Sequence, residues 1–193
     1  FLLFNILRYI GSELVRQCMK FEPSVLIMMD ISELNLFEID REIMSENTAV
    51  LFKPVLSDIR DNTIVDQVFK EFKPQIVFHA AAYKHLPIVE ENIIESVQNN
   101  IFGTKNMIEN TIKFKVRKFI LISTDKAVRA SSVMGMTKRF SEMLVQAYSE
   151  KARLNGTILS MVRFGNVLNS SGSIITLFRK QKFVFRKRMV RTL

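Results

Sequence analysis

Short apolar runs alternate with longer amphipathic stretches along this chain, and that alternation limits the fold more than any other feature. The runs are Val-Leu-Ile-Met-Met at 25–29, Val-Leu-Phe at 50–52, Ile-Val-Phe at 76–78, Phe-Ile-Leu-Ile at 119–122 and Leu-Ser-Met-Val at 159–162. They are short, rich in branched aliphatics and apolar on both faces, the pattern of parallel strands covered by helices on both sides. Between them the apolar positions take helical spacing. Residues 61–72 put Ile64, Val65, Val68, Phe69 and Phe72 on one stripe, with Asp61 as a cap and Pro74 as a stop. Residues 12–20, 33–44, 93–113 and 135–154 read as further helices. This order predicts a doubly wound, parallel α/β sheet.

Such a sheet binds ligands at the carboxyl ends of its strands. The residues just after each run are therefore informative. Asp30, Ser32 and Glu33 come after one; Ser57, Asp58 and Arg60 after the next; then His79, Ala80, Ala81, Ala82, Tyr83, Lys84 and His85; then Ser123, Thr124, Asp125 and Lys126; then Arg163, Phe164, Gly165 and Asn166. Every run ends in small or polar residues on the same predicted edge.

Composition narrows the class. With 193 residues, 48% apolar and 24% charged, the chain suits one globular domain, or one domain and part of a second, and excludes collagen-like and disordered classes. One cysteine, Cys18, excludes a disulfide framework and fits a reducing, cytoplasmic setting; with only His79 and His85 beside it, no metal centre is expected. No apolar run approaches the ~20 residues of a membrane span, and no signal peptide is legible. The net charge of +9 comes mostly from Arg179, Lys180, Lys182, Arg186, Lys187, Arg188 and Arg191 at the end of the chain, where no acid stands. A nearly neutral body without a recognition motif argues against a nucleic-acid partner.

Individual clusters admit both chemical and structural roles. Asp30 ends a strand about 20 residues after the glycine that opens the first helix, where a carboxylate can accept the hydroxyls of an adenosine ribose, a reading the spacing favours over a plain cap for the next helix. Gly11 resembles the end of a phosphate loop at a helix start, but Ile6 and Arg8 occupy the positions of the other two glycines of G-x-G-x-x-G. Ala80, Ala81 and Ala82 let a planar ligand lie against the backbone, or let a helix pack closely. Met134 and Lys138 share a helix face at i, i+4, twelve residues beyond the Ser-Thr-Asp-Lys strand end, so Lys138 can reach a ribose hydroxyl. Asp125 and Lys126 form either an acid–base pair or a surface ion pair.

Together the motifs resemble one family. They are Ser-Glu-Leu-x-x-Gln at 12–17, Glu-Leu-Asn-Leu-Phe-Glu-Ile-Asp-Arg-Glu at 33–42, Asp-Ile-Arg at 58–60, Phe-His-Ala-Ala-Ala-Tyr-Lys-His-Leu-Pro at 78–87 and Asn-Asn-Ile-Phe-Gly-Thr at 99–104. Next come Leu-Ile-Ser-Thr-Asp-Lys-Ala-Val at 121–128, Val-Met-Gly-Met-Thr-Lys-Arg at 133–139, Val-Arg-Phe-Gly-Asn-Val-Leu at 162–168 and Ser-Ser-Gly-Ser at 170–173. Over residues 11–178 the chain is similar to the nucleotide-sugar 4,6-dehydratases of the extended short-chain dehydrogenase superfamily, in the polysaccharide-biosynthesis branch acting on UDP-N-acetylglucosamine. The resemblance implies a Rossmann-like core with tightly held NAD. It implies oxidation at C4, loss of water across C5–C6 and hydride return to C6. Thr124 would bind near O4, Lys126 would be the base at C5, and Asp125 the acid at O6. Lys138 would orient the nicotinamide ribose. Met134 stands where a tyrosine is usual, as in the large membrane-attached subgroup, with Asp125 sharing the O4 proton transfer. Gly11, Asp30, Asp58, Ile59, Ala80, Ala81, Ala82, Tyr83, Asn100, Lys138 and Arg163 would line the cofactor. Lys84, His85, Asn166, Ser170 and Ser173 would approach the substrate.

The chain departs from that pattern at both ends. Of the family's glycine loop only Ile10 and Gly11 remain, and after Gln181 the substrate lobe with its diphosphate-binding arginines has no counterpart. The expected organisation is a cofactor-binding core over 1–178 and a basic tail over 179–193, with the substrate lobe largely missing. A homo-oligomer is compatible with the resemblance, and a membrane contact is expected only through an N-terminal region absent from this sequence. Two functional readings stand: a dehydratase core with weak activity, and a non-catalytic nucleotide-binding remnant.

Overall fold

The computed structural model describes residues 2–4, 10–45 and 50–165. Among them six strands form one sheet: β1 (Leu2–Phe4), β2 (Val25–Asp30), β3 (Leu51–Leu56), β4 (Ile76–His79), β5 (Lys118–Thr124) and β6 (Ile158–Phe164). Their order is β3-β2-β1-β4-β5-β6, and every pairing is parallel. This is the doubly wound order of dinucleotide-binding sheets, with the change of winding direction between β1 and β4. The expected α/β fold is therefore present. The helices are α1 (Ile10–Met19), α2 (Glu33–Ser45), α3 (Asn62–Phe72), α4 (Leu86–Glu91), α5 (Ile93–Val97), α6 (Gly103–Lys113) and α7 (Val133–Leu154).

β2 shows why the sheet is covered on both sides. Its side chains alternate, as a strand requires. Leu26 and Met28 pack with Val15 of α1 and with Leu36, Ile39 and Ile43 of α2. Ile27 and Met29 face the other way, into a larger cluster with Val65 and Phe69 of α3, Met107 and Ile108 of α6 and Val145 of α7. All four β2 residues are essentially solvent-free. Two apolar layers thus clamp one strand, and the polar groups are left to its end.

Among the described residues, burial on both faces does not extend to the outermost strands, unlike the expectation for two runs. β3 and β6 are half-exposed or exposed along their described length. β3 begins one residue later and runs further than its apolar run, through Lys53 and Pro54. Proline lacks the N–H an inner ladder needs, so it is tolerated on an edge, and lysine there discourages pairing with another chain.

α3 forms as the spacing predicts. The Asp61 carboxylate accepts from the backbone N–H groups of Thr63 and Ile64 at 2.9 and 3.2 Å. Lys73, left-handed at φ 45°, ends the helix just before Pro74. Asp61→Ala is expected to lower stability by about 1 kcal/mol, the usual worth of such a cap, measured by urea unfolding. The segment 93–113 is not the single regular helix expected. α5 and α6 are joined by a π turn, Gln98–Phe102, in which Asn99 and Asn100 are both buried. α4, with Pro87 in its first turn, was not anticipated. No helix among the described residues is long and apolar enough to cross a membrane.

Candidate active site

A small recess lies at the ends of β2 and β3, lined by Met29, Asp30, Ile31, Ser57, Asp58, Ile59 and Asn99. Asp30, Asp58 and Ile59, chosen from sequence, thus come together. Asp30 is 1% exposed. One of its carboxylate oxygens accepts from the Ser32 N–H at 2.7 Å and the other from the Asn35 amide at 3.4 Å. Asp30 lines the pocket, whereas α2 is capped by Ser32, whose Oγ accepts from the Asn35 N–H at 3.3 Å; Asp30 braces that cap. A buried carboxylate here attracts hydroxyl donors and disfavours a phosphate. Asp58 is held by Arg60, which also reaches Glu95 of α5 at 2.8 Å. Ile59 lies under Gly103, where a Cβ would stand only 2.5 Å from its Cδ1. Asn99 was missed from sequence; the π turn is what brings it to the pocket, and nothing in the residue pattern announces that turn.

The segment after β4 has no regular structure, and Ala80, Ala81 and Ala82 are buried in it. Asn100 clamps the next residue. Its Oδ1 accepts from the Tyr83 N–H at 2.8 Å, and its Nδ2 donates to the Tyr83 carbonyl at 3.2 Å and to Thr137 Oγ1 at 3.0 Å. The Asn100 side chain, expected along the cofactor, is thus engaged in holding this loop to α7. His79 is fully buried. Thr104 Oγ1 donates to the Asn100 carbonyl at 2.6 Å, so at 2.8 Å it must accept from His79 Nε2. Burial drops the imidazole to about 3, helped by the nearby Lys138 charge. His79 is a neutral structural group with no acid–base part to play near neutral pH. Lys84 is half-buried, and burial lowers its ammonium from the usual value. His85 is exposed at the start of α4.

Beyond the change of winding, β5 ends at Thr124 and runs directly into a single 3₁₀ turn, Asp125–Ala127. Thr124 Oγ1 donates to Asp125 Oδ1 at 2.9 Å and accepts from the Lys126 N–H at 3.3 Å. Lys126 Nζ donates to the same carboxylate oxygen at 3.2 Å. The Thr124 hydroxyl, then the Lys126 ammonium, hold the exposed Asp125 carboxyl below its ordinary range. Alongside, α7 is capped by Ser132, whose Oγ accepts from the Gly135 N–H at 3.1 Å. Met134 and Lys138 are both buried on one face, as the spacing predicts. Lys138 Nζ donates to the Ile122 carbonyl of β5 at 2.9 Å. Burial pulls the Lys138 ammonium down to about 8, partly offset by the Glu142 charge.

Arg163, expected along the cofactor, is paired with Glu142 of α7. Its Nε and Nη2 donate to the two carboxylate oxygens of Glu142 at 2.7 and 2.5 Å. Ser123 Oγ donates to the same carboxylate at 2.6 Å and Arg139 at 3.0 Å. The Glu142 side chain is wholly inaccessible, and these donors, Arg163 first, hold its carboxyl down to about 2 against the opposing effect of burial. Sequence reading missed Glu142. The signal was present: it stands four residues after Lys138, on the buried face of the same helix. Gly11 is buried in the first turn of α1. Asn166, Ser170, Ser173 and the basic tail lie outside the described residues. Among the described residues no cluster of histidine, cysteine or carboxylate side chains could hold a metal ion.

The edge therefore carries two polar sites, one at β2 and β3 and one at β5, on either side of the winding change. That arrangement defines an α/β domain like that of the short-chain dehydrogenases, of the type found in nucleotide-sugar epimerases and dehydratases. The chain belongs to the polysaccharide biosynthesis protein family, whose model matches residues 9–184. It is 45% identical over 173 residues to the capsular polysaccharide biosynthesis protein CapD of Staphylococcus aureus, covering 89% of this chain and 28% of that protein. It is 36% identical over 159 residues to the UDP-glucose 4-epimerase of Rickettsia canadensis, covering 80% of this chain and 46% of the relative. Pen from Bacillus thuringiensis superposes with a TM-score of 0.84 at 32% identity, over 93% of this chain and 55% of Pen. The dTDP-glucose 4,6-dehydratase DesIV from Streptomyces venezuelae, solved with NAD bound, shares the fold at a TM-score of 0.68 and 21% identity, over 84% of this chain and 54% of DesIV. The chain thus spans between a quarter and about half the length of these proteins.

Proposed function

We propose that this chain carries the cofactor-binding and catalytic core of a nucleotide-sugar-modifying enzyme of polysaccharide biosynthesis, that its cofactor is NAD, and that its reaction is the 4,6-dehydration of UDP-N-acetylglucosamine. The observation that carries the reading is the Thr124–Asp125–Lys126 turn, an acid and a base hydrogen-bonded together on the strand edge and flanked by buried Met134 and Lys138. The residues fit the cofactor. Asp30 is a buried carboxylate in a small recess, suited to ribose hydroxyls, and Lys138 is a buried cation on the other side of the winding change. NAD, when bound, supplies the acceptor and donor of the hydride.

The remaining chemistry falls to this chain. Asp125, held ionised by Thr124 and Lys126, is ready to accept the O4 proton. Met134 carries no exchangeable proton, so a carboxylate must serve in its place. Protonating Asp125 also dissolves its ion pair with Lys126, whose ammonium then releases a proton to water, to be regained when the pair reforms, and the resulting amine takes the proton from C5. Asp125 returns the O4 proton to the departing O6 as water leaves, and Lys126 returns its proton to C5. Protons balance, and two residues with separate duties suit dehydration better than simple epimerisation at C4.

Titration of the chain with NAD⁺ in a calorimeter tests the cofactor reading. Saturable binding is expected, and Asp30→Ala should weaken it roughly 10- to 100-fold, the worth of one hydrogen bond to a charged group, while narrowing the preference over the 2′-phosphorylated cofactor. A folded chain that ignores NAD⁺, or a variant that binds equally well, refutes it. Formation of a 4-keto-6-deoxy product from UDP-N-acetylglucosamine tests the reaction, and a C4-epimerised product instead would replace it with an epimerase.

A further inference from the structure

Gly135 has no conformational reason to be glycine. It lies in the first turn of α7, and Gly156 is the only described glycine with positive φ. In a helix, alanine is ordinarily the better residue. What the position lacks is room. A Cβ on Gly135 would come closer than 3.0 Å to the backbone carbonyl oxygen of Lys126, and would also meet Ser132 Oγ at 3.2 Å and Ala130 Cβ at 3.3 Å. A side-chain tip could swing aside. The Lys126 carbonyl cannot, because it belongs to the 3₁₀ turn closed by the Val128 N–H donating to Asp125 O at 3.0 Å.

We infer that Gly135 is a positioning residue: its bare Cα lets the first turn of α7 seat directly on the Lys126 carbonyl, fixing the Lys138 face at one spacing from Asp125 and Lys126. This role rests on the proposed function of the site. The two bodies are also joined at a distance, through Lys138 Nζ on the Ile122 carbonyl and Ser123 Oγ on the Glu142 carboxylate. With those ties in place, an added methyl cannot be absorbed by sliding α7 away as a whole. It must tilt the helix start or lift the turn, and either changes the spacing between Lys138 and the acid–base pair. Reacting groups misplaced by about 1 Å commonly cost a hundredfold in rate.

The test is Gly135→Ala in the full chain, with three readouts. Helix propensity alone predicts a higher melting temperature; the contact predicts a lower one. Hydrogen exchange at the Val128 amide, which closes the turn, should accelerate at least tenfold. Affinity for NAD⁺ should fall roughly tenfold, as for one misaligned hydrogen bond to a charged group, while affinity for ADP, which carries only the adenosine half, stays within twofold. A raised melting temperature with unchanged exchange at Val128 overturns the proposal, as does equal weakening of NAD⁺ and ADP. If the parent chain binds neither nucleotide, the cofactor reading fails by itself, and melting and exchange still decide the contact. If Gly135→Ala does not fold, Ser132→Ala takes its place. It loosens the same helical turn without adding an atom, and should speed exchange at Val128 and shift the NAD⁺-to-ADP affinity ratio; no change in either overturns the proposal.

Discussion

Glu142→Ala is expected to lower stability by about 2–4 kcal/mol, from the buried Ser123 hydroxyl left without its acceptor, the loss of two arginine contacts and the space opened in the packing. For a chain of this size that is a fall in melting temperature of roughly 5–15 °C. Arg163 and Arg139 can turn to water, since each is about two-fifths exposed (40% and 43%), which keeps the loss below that of a fully buried charge. The pH dependence has a definite sign. The Glu142 carboxyl is depressed to about 2 in the folded chain, whereas an unfolded glutamate titrates at about 4.3. Its contribution is therefore complete above about pH 4.5 and is lost as the pH falls toward 2. The gap between parent and variant should be full at pH 7 and should narrow below pH 4. Urea unfolding at pH 7 and pH 3 measures both; an equal gap at the two values would mean that packing, not charge, accounts for the effect.

Lys126→Met should abolish dehydration while leaving NAD⁺ affinity within about twofold. General acid–base residues contribute about 10²–10⁴ in rate, and removal of the base at C5 falls in that range. The diagnostic readout is isotopic. In heavy water the parent should introduce deuterium at C5 of the product, and the variant should not introduce it into either product or recovered substrate. Continued exchange at C5 in Lys126→Met would assign the base elsewhere, with half-buried Lys84 the next candidate to substitute.

The architecture was legible because it is written in periodicities. β2 and α3 are defined by which positions are apolar, and their order in the chain dictates the doubly wound sheet. The small and polar residues after each apolar run marked the edge on which the pocket opens. Roles were harder to read than places. Asn100 and Arg163 stand on that edge as expected, yet their side chains are engaged with the Tyr83 backbone and Glu142. A sequence shows a polar residue at an edge but not which neighbour will claim its hydrogen bonds. Glu142 and Asn99 were hidden for the converse reason. A buried carboxylate is intelligible only once its three donors are assembled from β5, β6 and α7. Asn99 reaches its pocket only because the helix widens by one residue per turn there. β3 was read as covered because an apolar run looks the same in the middle of a sheet as at its rim.

The π turn at Gln98–Phe102 also bears on how this chain can change over evolutionary time. An α-helix turns by about 100° per residue, so losing one residue there would restore a regular helix and rotate everything before it by that angle relative to α6. Asn99 and Asn100 could no longer both face inward, and the pocket and the Tyr83 clamp would be lost in one event. The segment is therefore intolerant of deletion although it lies inside a helix, where a change of length usually registers as a shift of phase that caps and loops can absorb. Lineages descending from this chain should vary in length at the exposed turns before β2 and after α6 and keep the count between Tyr83 and Gly103 unchanged.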